Sequence, residues 1–177
     1  MNHFLKRASV AFRREDGATA IEFVLVIPLL MAVFMASFES GLLMVRSIML
    51  EQATDMTMRE LRLGHFPLIT HQSLKDEICS RTVIFPNCSS QIQVEMQRIS
   101  TTNWALPDHA VTCVDREEVI QPVTALQIGQ QNDMMVVRVC ITQDAMFPGT
   151  GIALGMHLDD EGGYGLTTTT AFVTEPS

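Results

Sequence analysis

Hydrophobic positions are spread unevenly along this chain. From Phe23 to Val45 they form a nearly unbroken run, interrupted by Pro28, Ser37, Glu39, Ser40 and Gly41, and between Ala18 and Val45 only Glu22 and Glu39 are charged. A helix needs about 20 apolar residues to cross the hydrocarbon of a bilayer, so the run is long enough. It is apolar all round, which a helix on the surface of a soluble domain is not. Pro28 removes one backbone hydrogen bond and is expected to bend or loosen the helix locally, which membrane helices tolerate. After Val45 the pattern becomes periodic. Val45, Met49, Ala53, Met56 and Leu63 form an apolar stripe, while Arg46, Glu51, Asp55 and Arg59 fall on other faces. Gly64 followed by Pro67 marks the stop. The expectation is one helix over residues 18–64 that leaves the membrane and continues into an outer domain.

The period changes beyond Pro67. Ser73 is placed as the cap of a short helix carrying Leu74, Ile78 and Cys79. Residues 91–97 alternate, which predicts a half-buried strand with Ile92, Val94 and Met96 inward. Residues 100–108 read as loop, Ala110–Val114 as a short strand, and Asp115–Asp133 as polar connection. Met134–Ile141 is apolar on both faces apart from Arg138, the mark of a central strand. Pro148 opens a turn or brief helix running to Leu154, Leu158–Tyr164 is an acidic loop or hairpin, and Gly165–Thr174 is a threonine-rich last strand. The fold class is α+β: a long N-terminal transmembrane helix extending into a small antiparallel-sheet extracytoplasmic domain. Three segments follow: a basic leader over 1–17, the helix over 18–64, and an α+β domain over 65–177.

Composition sharpens this. Of 177 residues, 47% are hydrophobic and 18% charged, and the excess of apolar residues lies in the span. The net charge is −8, yet the leader, with Lys6, Arg7, Arg13 and Arg14 against Glu15 and Asp16, carries +2. An acidic remainder argues against nucleic acid as a partner. Basic residues ahead of the span favour a cytoplasmic N-terminus. An ordinary secretory signal fits less well, because the apolar run is too long and no small-x-small cleavage site ends it. Cys79, Cys88, Cys113 and Cys140 all follow the span, and none of the spacings is Cys-x-x-Cys. They read as two disulfides in an oxidising compartment, the alternative being four reduced core thiols; nearest-neighbour pairing is preferred among the three possible connectivities.

Candidate chemistry is sparse. The histidines show no metal-ligand spacing. Asp159-Asp160-Glu161 lacks the ligand order of a calcium loop and reads as a solvated turn. No catalytic residue, metal or cofactor is expected. The informative residue is Glu22. A carboxylate on a helix entering lipid is costly unless it is protonated, paired or placed near an interface. Cleavage after Gly17 would place the new amine of Ala18 one turn from Glu22, and an α-amine is mostly cationic at neutral pH. It could neutralise the same Glu22 or that of a neighbouring subunit. Glu39, about 26 Å further along at 1.5 Å per residue, is expected at the outer interface, or in a subunit contact with Arg46 of a partner.

The stretch Gly17-Ala18-Thr19-Ala20-Ile21-Glu22-Phe23 resembles the processing site of type IV prepilins. With Arg13-Arg14-Glu15-Asp16 before it and Pro28 after it, the chain resembles the TadE/TadF family of minor pilins (pseudopilins) of the tight-adherence pilus. Phe38-Glu39-Ser40-Gly41 and the closing Ala171–Pro176 resemble further family features. The resemblance implies a processing site at Gly17 and Ala18, assembly roles for Glu22, Phe23 and Glu39, and no enzymatic activity. It implies as partners a prepilin peptidase, other minor and major pilins, the Tad inner-membrane assembly platform and the bilayer. The implied location is the bacterial inner membrane, single-pass, with the C-terminal domain periplasmic, or the pilus itself. The competing expectation is an uncleaved, membrane-anchored periplasmic binding or enzyme domain, for which Gly17 is incidental.

Overall fold

The computed structural model describes residues 18–66, 68–107, 111–116, 118, 121, 124–149, 155–156 and 158–175. The leader with Gly17, the side chain of Ala18, His109, His157 and residues 150–154 of the turn or brief helix expected to run from Pro148 to Leu154 lie outside the described residues.

Helix α1 spans Ala18–Arg62 and runs without a break through Pro28. It ends as the Gly64 signal requires. Gly64 has φ of +71°, its amide donates to Leu61, and the His65 amide donates to Glu60. These are the two hydrogen bonds of a Schellman cap, in which glycine takes the left-handed position without a Cβ penalty.

Helix α2 is His71–Ser80. Its cap is Thr70 and not Ser73, which corrects the sequence reading. The Thr70 hydroxyl accepts from the Ser73 amide at 3.0 Å, and the Ser73 hydroxyl accepts from the Thr70 amide at 2.9 Å. Ser73 is thus the third residue of the helix, completing a reciprocal capping box. Leu74 and Ile78 turn inward and are fully buried. A four-residue turn, α3 (Cys88–Gln91), leads directly into the sheet.

The sheet is a three-stranded antiparallel meander in the order β1 (Ile92–Ile99), β2 (Met134–Asp144), β3 (Gly163–Val173). Register fixes two faces. Val94 faces Val139, which faces Thr168; Met96 faces Val137, which faces Thr170. This face meets Leu50, Ala53 and Met58 of α1, Leu74 and Ile78 of α2, and Phe172 to form the core. The opposite parity carries Gln93, Glu95, Arg138 and Cys140.

That second face is also closed, so β1 is buried on both sides and not half-buried. Cys113 is disulfide-bonded to Cys140, and the Thr142 hydroxyl donates to the Val114 carbonyl at 3.2 Å. Residues 111–115 therefore lie on the sheet as irregular chain, which corrects the strand expected at Ala110–Val114; Ala110 itself lies outside the described residues. Gly165 is required here, since a Cβ at that position would meet the Cys113 Sγ at 2.9 Å. The supposed polar connection also contributes. The Met96 amide and carbonyl bond Ala125 and Gln127, a parallel bridge along the outer edge of β1. The other disulfide joins Cys79 at the end of α2 to Cys88 at the start of α3.

The face of α1 that packs on β3 and α2 differs from the stripe counted in the sequence. Leu50, Ala53, Thr54, Thr57 and Met58 are buried, whereas Val45, Met56 and Leu63 are exposed. The stripe is rotated because its polar members were not counted. Thr57 returns its hydroxyl to the Ala53 carbonyl at 2.8 Å, which lets a polar side chain sit in a dry contact.

Candidate assembly site

The candidate site is α1 itself, and its two halves have different surroundings. From Thr19 to Phe38 the helix is almost entirely exposed, with Ile21, Phe23, Leu25, Leu29, Leu30 and Phe34 all bare. It is the one helix among the described residues long and apolar enough to cross a membrane. Among the described residues nothing of the following domain covers it before Phe38. An apolar surface of this size is the mark of a membrane or protein contact. Glu22 stands on this surface, exposed and with no partner among the described residues. Phe23 beside it is exposed as well. The structure places both on the bare half and brings neither against the outer domain.

Glu39 behaves differently. The sequence placed it at the outer interface or in contact with a partner's Arg46; in the structure it is 0% exposed and its hydrogen-bond partners lie within its own chain. Its two carboxylate oxygens accept from consecutive backbone amides of the loop after β2, Met146 at 3.1 Å and Phe147 at 3.0 Å. Phe38 stacks edge-on against Phe147, with ring centroids 6.1 Å apart. Arg46 does not meet Glu39 and is taken up within its own chain. Its guanidinium donates to the Asp144 carbonyl at 2.9 Å and to the Tyr164 hydroxyl, and lies 5.9 Å from the Tyr164 ring centre. Burial pushes the Tyr164 phenol above its ordinary pKa, although Arg46 pulls the other way. Glu39 and Arg46 are seven residues apart, two helical turns, so they share the face that continues into Leu50, Ala53 and Thr57. That spacing was the available signal for a contact within the chain.

The acidic turn is neutralised by an arginine that the sequence reading did not single out. Arg116 bonds Asp144 at 2.6 Å, Asp159 at 2.9 Å and Glu161 at 3.1 Å. Burial alone would raise the Asp159 carboxyl. The Arg116 hydrogen bond, the Gly163 amide and the Arg116 charge outweigh it and hold the group below its ordinary value. Asp159 also accepts from the Gly163 amide, which closes the turn at the start of β3.

At the far end of α1, Arg62 pairs with Glu175 at 2.7 Å, tying the helix end to the chain that follows β3. Beside this pair lies an open cavity of about 320 Å³ lined by Leu61, Ile69, Met96, Ile128 and Phe172. Among the described residues no group of three or more His, Cys, Asp or Glu side chains is arranged to hold a metal ion.

No curated protein and no solved structure matches the chain. The part that does match is the helix: residues 17–59, from Gly17 through Glu22, Phe23 and Glu39, match the family described as TadE-like protein.

Proposed function

We propose that this chain is a minor pilin, or pseudopilin, of a tight-adherence pilus, cut by a prepilin peptidase between Gly17 and Ala18 and needed to assemble or initiate the filament. The observation that carries this reading is the state of the first half of α1. It is a TadE-like apolar helix that its own outer domain leaves bare, with one unpartnered acid, Glu22, a turn from the expected new chain end. In the membrane lipid covers such a surface. In a filament neighbouring helices cover it, and the cationic amine of Ala18 on one subunit meets the Glu22 carboxylate of the same or an adjacent one. The role is structural and not catalytic. The partners are the peptidase, the other pilins and the inner-membrane assembly platform, with the leader cytoplasmic and residues 65–177 periplasmic.

The mature N-terminus tests this. Protein purified from cells with a working pilus system should begin at Ala18 by intact mass and N-terminal sequencing, and Gly17→Leu should leave only the uncut precursor. Mature protein that still begins at Met1 would overturn the proposal. The cavity beside Phe172 would then favour a permanently anchored binding domain. Glu22→Ala supplies a second prediction. Membrane insertion should be unchanged or improved, since a costly acid is gone, while pilus number falls sharply. Counting pili by electron microscopy checks it, and normal piliation would remove Glu22 from the mechanism.

A further inference from the structure

The loop after β2 reads Asp144-Ala145-Met146-Phe147-Pro148-Gly149, and the sequence carries no charge from Ala145 to Met156. A loop on a periplasmic surface is ordinarily polar, so this one needs a reason. Its position supplies one. The amides of Met146 and Phe147 are bonded to the carboxylate of Glu39, which fixes the loop at the height of that residue along α1.

That height follows from the helix. Glu22 is the first acid of α1, exposed and with no partner among the described residues, and an acid so placed is accommodated most cheaply at the inner boundary of the hydrocarbon. A hydrocarbon thickness of about 30 Å, at 1.5 Å per residue, then ends about 20 residues later. The outer boundary therefore falls close to Leu42. Glu39 lies at or just inside it, and the Met146–Phe147 loop lies beside Glu39. Met146 is nonetheless 52% exposed, and Phe38, stacked on Phe147, is 50% exposed. These are large apolar surfaces left open at a depth where the solvent is lipid. The carboxylate at the same depth is sealed, with both oxygens bonded and none of its surface accessible.

We infer that the loop Ala145–Gly149 is a membrane foot, with Met146, Phe147 and Phe38 seated among the phospholipid chains of the outer leaflet of the same bilayer that α1 crosses. The occupant is lipid because Phe147 of the loop stacks on Phe38 of the span, so the exposed apolar surface of the loop adjoins that of the helix. The Glu39 carboxylate makes the arrangement tolerable by satisfying two backbone amides that would otherwise enter the hydrocarbon boundary unpaired. A second contact point orients the domain against the membrane, where a single helix would leave it free to tilt. The inference rests on reading α1 as a membrane span.

Quenching by lipid with brominated acyl chains tests it. The chain has one tryptophan, Trp104, which is exposed in the loop after β1. Full-length protein in phosphatidylcholine nanodiscs would carry a single tryptophan in a Trp104→Phe background, at Phe34→Trp in the span or at Met146→Trp in the foot. Unaltered protein serves as the remote reference. Brominated lipid should remove most of the emission at positions 34 and 146 and leave that of Trp104 unchanged. Position 34 quenched and position 146 bright would overturn the foot and leave the span intact. Both bright would overturn the span and the foot with it. Position 146 bright in brominated lipid but shielded from iodide would mean that a second copy covers the loop, and would equally overturn lipid as its occupant. Pro148→Trp, also at an exposed position, repeats the reading should Met146→Trp disturb the loop.

Discussion

Replacing Glu39 with alanine is expected to release the loop after β2 from the helix and leave the three-stranded sheet folded. The carboxylate holds two backbone amides, and hydrogen bonds to a charged group contribute about 1.5–3 kcal/mol each. The bonds are not independent, so a local loss of about 2–4 kcal/mol is the expectation. Hydrogen exchange reads this directly. The Met146 and Phe147 amides should exchange roughly 30- to 1000-fold faster, at about tenfold per 1.4 kcal/mol, while amides in the middle of β2 keep their protection. Glu39→Gln retains one acceptor oxygen and no charge, and should fall between. Unchanged protection at both amides would show that the loop is held by other contacts. Removing an acid from the edge of a span eases insertion, whereas here it also orphans two amides. The two effects oppose each other, and only the loop amides separate them.

The contrast between Glu39 and Glu22 shows what the sequence could and could not convey. Both are lone acids in an apolar run, and local sequence treats them alike. Glu22 sits where no later part of the chain returns among the described residues, so its surroundings depend on the run alone. Glu39 is satisfied by residues more than a hundred positions away, and nothing local announces Met146 and Phe147 as its donors. The same division runs through the fold. The length of α1, its Gly64 stop and the central place of β2 depend on local pattern and were readable. The buried face of α1 was misplaced because Thr54 and Thr57, polar by composition, pack inward against a threonine-rich strand. The strand expected at Ala110–Val114 failed for a related reason. An alternating apolar stretch can be held on a sheet by a disulfide and one side-chain hydrogen bond without joining the ladder.

The largest loss of stability is expected at Arg138. It lies directly across from Glu95 in the β1–β2 register, with Nη2 2.6 Å from Oε2, and the two residues are 8% and 4% exposed. Gln97 donates to the same carboxylate. Arg138→Met alone leaves a carboxylate buried without its cation and should cost about 3–5 kcal/mol, read as a lower urea midpoint for the disulfide-intact protein. Glu95→Leu alone should also lower the midpoint, since Arg138 loses its partner across the ladder. The double variant should recover most of the loss, because two hydrophobic side chains carry none of the desolvation cost that the ion pair carries. The pair has a second use that stability alone does not measure. β2 is apolar on both faces apart from Arg138, so a one-residue slip of β2 would still bury hydrophobic side chains, but it would carry Arg138 to the core face opposite Val94 or Met96. A charge that is tolerable on one face only fixes the register. Through β2 it also fixes where Met146 and Phe147 arrive at Glu39. The double variant should therefore be nearly as stable as the parent yet show exchange broadening or faster exchange at those two amides. If it is as destabilised as either single variant, the attraction within the pair exceeds its desolvation cost, and register is not the reason it is there.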